Sequence, residues 1–149
     1  MSSNLTFYHL APILLAPGSQ IMPGNWGRIK RMQRNLEGNI FREYVFEDVR
    51  KRDFPSKPSR LDCVFGFTDV NTARAFRENT RSFEASVLYL VSTEADSSSI
   101  HYADYRFPAL NGGALDGIEE LARKYWTETP QQCIEVVIPG PVTVLEVDT

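Results

Sequence analysis

Apolar positions along the chain recur with two periods. From Leu5 to Leu10 they alternate, with Phe7 and His9 on one face and Tyr8 and Leu10 on the other, which predicts a short strand. Pro12, Pro17, Gly18, Pro23, Gly24 and Gly27 then punctuate what reads as a loop built of turns. At Ile40 the period becomes helical: Phe41, Tyr44, Val45 and Val49 share a stripe up to about Arg52, Asn39 stands where a cap belongs, and Pro55 and Pro58 end the element. Leu61 to Phe67 predicts a second strand, interrupted by Gly66. Asp69 or Asn71 caps a short helix through Glu78, on which Ala73 and Phe76 share a face. Ala85 to Val91 is apolar almost throughout and predicts a central strand.

Beyond it, Ser97-Ser98-Ser99 reads as a turn, Ile100 to Tyr105 as a strand and Phe107 to Gly113 as a loop. A helix from about Ala114 to Trp126 carries Leu115, Ile118, Leu121, Ala122 and Tyr125 at helical spacing, and Pro130 follows its end. Strands Cys133 to Ile138 and Val142 to Val147 flank the Pro139-Gly140-Pro141 turn. Interleaved strands and helices with hairpin-like connections in the C-terminal part predict an α+β fold, not a doubly wound parallel sheet. There is no internal repeat and no internal boundary, so residues 1–149 read as a single domain.

Composition narrows the class without naming a function. With 42% apolar and 23% charged residues the chain is expected to bury a core of its own. The sequence has neither a membrane-length apolar run nor the pattern of a signal peptide, so a cytoplasmic protein with no membrane contact is expected. Two cysteines, Cys63 and Cys133, and two histidines are too few for a disulfide framework or a built-in metal site, and reduced thiols and no metal are expected. The net charge of −3 conceals an asymmetry: Arg28 to Arg60 holds ten basic and five acidic residues, the remainder six basic and fourteen acidic. That segment is either a solvated helix face with internal pairs or an anion-binding surface.

The usual phosphate loops and hydrolase elbows are missing; Asn111-Gly112-Gly113 could present backbone N–H groups to an anion, or simply open a helix. Glu135 interrupts a strand that is otherwise apolar on both faces. A carboxylate there either lies on the solvated face of an edge strand or is aimed into a cleft. His9 stands alone in an aromatic strand, as a satisfied core or rim residue or as a ligand contact. Ser59-Arg60, after Pro58, sets a hydroxyl and a guanidinium at a sheet end, for a salt bridge or a diphosphate.

The order of these features carries a resemblance. Tyr8-His9-Leu10, Lys57 to Phe67, Tyr125-Trp126 and Glu135 to Val142 resemble phrases shared by an uncharacterised bacterial and phage group within the ADP-ribosyltransferase-like superfamily. The resemblance implies two small antiparallel sheets forming a central cleft with flanking helices, and NAD as substrate. It implies an NAD-dependent mono-ADP-ribosyltransferase acting on a protein or nucleic acid, or a non-catalytic binding protein on the same fold. His9 would hold a ribose hydroxyl of the adenosine half, Ser59 would begin the strand cradling the nicotinamide half, and Arg60 would reach the diphosphate. Phe65 or Phe67 would wall the nicotinamide ring, and Glu135 would stabilise the oxocarbenium-like transition state. A nucleic acid or acidic protein would dock on Arg28 to Arg60. Two departures stand out: Cys133 replaces the Glu or Gln that many arginine-modifying members carry two residues before the catalytic Glu, and Ser59 stands where a central tyrosine is familiar.

Overall fold

Strand pairing organises the chain, which a computed structural model describes over residues 4–34, 38–109 and 115–148. Among these, β1 (Leu5–Ala11), β2 (Gln20–Ile21), β3 (Val64–Phe67), β4 (Val87–Thr93), β5 (His101–Asp104), β6 (Ile134–Ile138) and β7 (Val142–Val147) form one sheet in the order β2-β7-β4-β1-β3-β6-β5. Every neighbouring pair is antiparallel. With α1 (Asn25–Met32), α2 (Gly38–Asp53), α3 (Val70–Asn79), α4 (Arg106–Ala109) and α5 (Leu115–Thr127), the fold is α+β.

Where the resemblance implied two small sheets the structure has one, and it is narrow in the middle. Strand β1 pairs with β4 from Leu5 to Ala11, but meets β3 at one register pair, Tyr8 with Phe67. The sheet is also curled. Strands β6 and β7 are four spacings apart in the order, about 19 Å in a flat sheet, yet only Pro139-Gly140-Pro141 connects them, a link that reaches about 14 Å at most. The hairpin expected across that turn is therefore absent: the turn carries the chain from one half of the sheet to the other.

Curling lets both halves share an inner core of Phe7, Val64, Tyr89, Val91, Val136, Ile138, Val142 and Val144. Gly66 sits where this packing is closest, since a Cβ there would lie 3.2 Å from that of Phe7. The helices cover the outer face. Ala73 and Phe76 of α3 pack with Tyr8, Leu10, Phe67 and Leu88, while Phe46, Val49, Ala122, Tyr125 and Trp126 of α2 and α5 pack with Ala103 and Val137. Trp126 is fully enclosed and donates its indole N–H to the Phe46 carbonyl at 3.0 Å, which ties α5 to α2.

Several local expectations change. The glycines and prolines after β1 hide both β2 and α1: Gly24, at φ 103°, is the N-cap of α1, and Gly27 lies where a methyl would overlap the Leu61 carbonyl. Asn39 lies inside α2, which begins at Gly38. The stretch from Arg60 to Asp62 forms a 3-10 turn, so the second strand begins at Val64. Asp69, and not Asn71, caps α3, accepting from the Thr72 N–H at 2.9 Å. Part of the expected 107–113 loop is helical in α4, while Asn111-Gly112-Gly113 and Ala114 lie outside the described residues.

Candidate functional site

Arg60 is the centre of the densest polar arrangement in the described residues. The 3-10 turn after Pro58 aims its side chain inward, beneath α2 and α5, where only 6% of the residue is exposed. Its Nε donates to both oxygens of Glu43 at 3.0 and 3.1 Å, and Nη2 donates to Glu43 Oε1 at 2.7 Å. Its Nη1 donates to the Tyr125 hydroxyl at 2.7 Å and to Glu135 Oε2. The Tyr125 hydroxyl donates to that same Glu135 oxygen, and the Trp26 indole N–H donates to Glu43 Oε1 at 2.9 Å. Phe65 and Tyr125 hold their ring faces 4.7 and 5.0 Å from the guanidinium carbon.

The electrostatics follow from this enclosure. Burial opposes the charge on Arg60, but Glu135 and Glu43 overcome it and hold the guanidinium well above its ordinary pKa. Burial, with Glu135 adding to it against Arg60, raises the Tyr125 hydroxyl well above the usual phenol value, so Tyr125 is a donor at neutral pH. The carboxylates are compensated, not exposed: the guanidinium fork is spent on two acids and a phenol.

The sequence candidates therefore separate. Arg60, Phe65 and Glu135 come together, but Arg60 turns away from solvent and its role as a diphosphate ligand does not fit. Ser59 does not begin a strand: its hydroxyl caps the turn, accepting from the Leu61 N–H at 3.1 Å, and donates to Glu47 at 2.7 Å. Burial opposes ionisation of Glu47, but the bonds from Arg50 and Ser59 prevail and lower its pKa. Phe67 shares the face of Glu135 by register but packs with Phe76 and Tyr105.

His9 projects from the opposite face. Tyr8 pairs with Phe67 and Phe67 with Glu135, so those three side chains share one side of the sheet and His9, the next residue, takes the other. It stands at the fork where β1 and β3 part, and its Nδ1 reaches the Phe65 carbonyl at 2.6 Å. Burial lowers its pKa against the opposing effect of that bond, so its imidazole is neutral at pH 7. His9 and Glu135 cannot line one surface in this arrangement.

Glu43, Tyr125 and Trp26 are the members that sequence reading missed. Tyr125 was legible as an apolar position at helical spacing and in the Tyr125-Trp126 phrase, neither of which gives its hydroxyl a role. The basic segment is also thinner than its count: Arg42, Arg50 and Arg60 bond internally, to the Pro108 carbonyl, Glu47 and the network above, and Arg52 pairs with Asp48 and Glu119. A depression of about 430 Å³ lies at the ends of β4 and β7, lined by Gln20, Thr93, Glu94, Pro141 and Thr143. Another, of about 250 Å³, lies beside Asp104, Arg106 and Gln131. None of the sequence candidates lines either. Among the described residues no group of three or more His, Cys, Asp or Glu could hold a metal ion, and no helix is long and apolar enough to cross a membrane.

No curated protein matches the chain. A family model described as a protein of unknown function, DUF2441, matches residues 21–148.

Proposed function

The chain belongs to the DUF2441 family, whose function is not assigned; from the fold and the motif resemblance we propose that it is an ADP-ribosyltransferase-like domain that binds NAD at the fork between β1 and β3. The observation that carries this reading is the fork itself. Two antiparallel halves are hinged on the single Tyr8–Phe67 pair, with His9 beside the parting strands, where the resemblance calls for a ribose contact. Half-buried and neutral, with its Nδ1–H donated to the Phe65 carbonyl, His9 keeps Nε2 to accept from a sugar hydroxyl.

The activity this reading carries is transfer of ADP-ribose to a macromolecule. The bond from ribose C1′ to the nicotinamide nitrogen breaks and the ring leaves neutral with the electron pair. An acceptor oxygen or nitrogen then bonds to C1′ and gives up its proton. Glu135 is the carboxylate proposed to stabilise positive charge on the ribose. To serve, it must be released from Arg60 and Tyr125 and reached from the face opposite His9.

That requirement favours a second reading, NAD binding without transfer, in which Arg60 keeps Glu135 neutralised and the network is part of the core. Incubation with NAD labelled in the adenylate half, in the presence of protein and nucleic-acid acceptors, separates the two. Transfer activity abolished by Glu135→Gln, in a variant that retains a cooperative unfolding transition, supports the transferase. NAD binding with neither label transfer nor nicotinamide release supports the second reading. No NAD binding by the folded protein overturns both.

A further inference from the structure

The outward side of α1 and the start of α2 combine cations with exposed rings. Between Asn25 and Arg34 the sequence holds Arg28, Lys30, Arg31 and Arg34 and no acid. Trp26 turns inward to Glu43, and Gly27 is pressed on Leu61, which fixes the helix on the body of the protein. Arg28, Ile29, Arg31, Met32 and Arg34 are exposed as a result. On α2, which the Trp26–Glu43 bond ties to α1, Phe41 and Tyr44 are 45% and 70% exposed.

We propose that this face binds single-stranded nucleic acid, with Arg28 and Arg31 on phosphates and Phe41 and Tyr44 stacked on bases. Charge complementarity argues for a polyanion and also orients it, because the sequence outside Arg28 to Arg60 has fourteen acids against six bases and repels one. Arg31 is paired with Asp62 at 3.4 Å, but both side chains are more than half exposed, and a phosphate can displace so open a partner. The rings favour a single strand, whose base faces are available, over a duplex, whose bases are stacked on one another. An anionic membrane is a poorer fit: Ile29 and Met32, three apart, share one edge of α1, but two exposed apolar side chains on an eight-residue helix give little surface to sink into a bilayer. As the acceptor for ADP-ribose, the strand rests on the function proposed above. Its binding does not, and is tested without NAD.

Fluorescence anisotropy of labelled single-stranded DNA and RNA of about a dozen nucleotides is the test, read between about 50 and 200 mM salt. Binding is expected to weaken with salt at a log–log slope of about −1.4, for the two phosphate contacts of Arg28 and Arg31. The double variant Arg28→Gln/Arg31→Gln should flatten that slope by more than half. Tyr44→Ala should weaken binding about tenfold and leave the slope unchanged. All three side chains are exposed, so the unfolding midpoint should not move. No binding at low salt, indifference to these substitutions or equal affinity for duplex would each overturn the proposal. So would capture on phosphatidylserine vesicles in place of oligonucleotides.

Discussion

Removing Arg60 would strand Glu43 and Glu135 in the same buried volume without their cation. Breaking such an arrangement from one side typically costs about 3–5 kcal/mol, more than the lost hydrogen bonds alone. Arg60→Met is expected to lower stability by that amount in urea unfolding, and an unchanged midpoint would show that the network contributes little. A second residue, His101, sets a pH dependence. Burial lowers its pKa to about 4, against the opposing bond with the Tyr125 carbonyl. Unfolding restores an ordinary imidazole, which binds a proton at higher pH than the native one. Stability should therefore be complete above about pH 6.5 and fall by about 3 kcal/mol as pH drops toward 4, with most of that slope missing in His101→Phe. Midpoints measured from pH 7 to 4 for both proteins check it. At this scale Glu135 was legible as an acid in an apolar strand. Its partners were not, because Arg60 lies 75 positions earlier and only the curl and the inward turn after Pro58 bring them together.

Elements defined by long apolar periodicity, α2, α5 and β4, were readable because burial imposes the period. Helix α1 was not. Gly24 just before it and Gly27 within it look like loop residues, and the reasons for both are tertiary: Gly24 supplies a left-handed cap and Gly27 a close approach to Leu61. Gly27→Ala sets two effects against each other. Alanine favours a helix interior by about 1 kcal/mol over glycine, but the added methyl meets a backbone carbonyl that no rotamer change can move, and overpacking of this kind costs about 1–3 kcal/mol. Overlap should win. The substitution is expected to loosen α1 and shift Trp26 emission to the red, while Trp126 stays enclosed. A Gly27→Ala protein as stable as the parent, with unshifted emission, would show that α1 is not clamped there. The pairing of β6 with β3 and β5, instead of with β7, was likewise invisible locally, since a Pro-Gly-Pro turn between two apolar strands looks the same in a hairpin and at a corner.

At the scale of the whole molecule, the alternating pattern predicted an α+β protein, and the structure is one. The number of sheets was beyond it, because one sheet pinched at a single residue pair and two separate sheets differ by a few backbone hydrogen bonds that leave no mark on hydropathy. The charge asymmetry reads differently once the side chains are placed. Several cations of the basic segment are internal struts, and α1 carries much of what faces solvent. The fork at His9 is the feature on which the proposed function turns. Calorimetric titration of NAD into the folded protein, with His9→Ala alongside, addresses it most directly. Saturable binding that raises the unfolding midpoint, and that His9→Ala loses without unfolding, is the expected result. No heat of binding and no shift of the midpoint at millimolar NAD would contradict it.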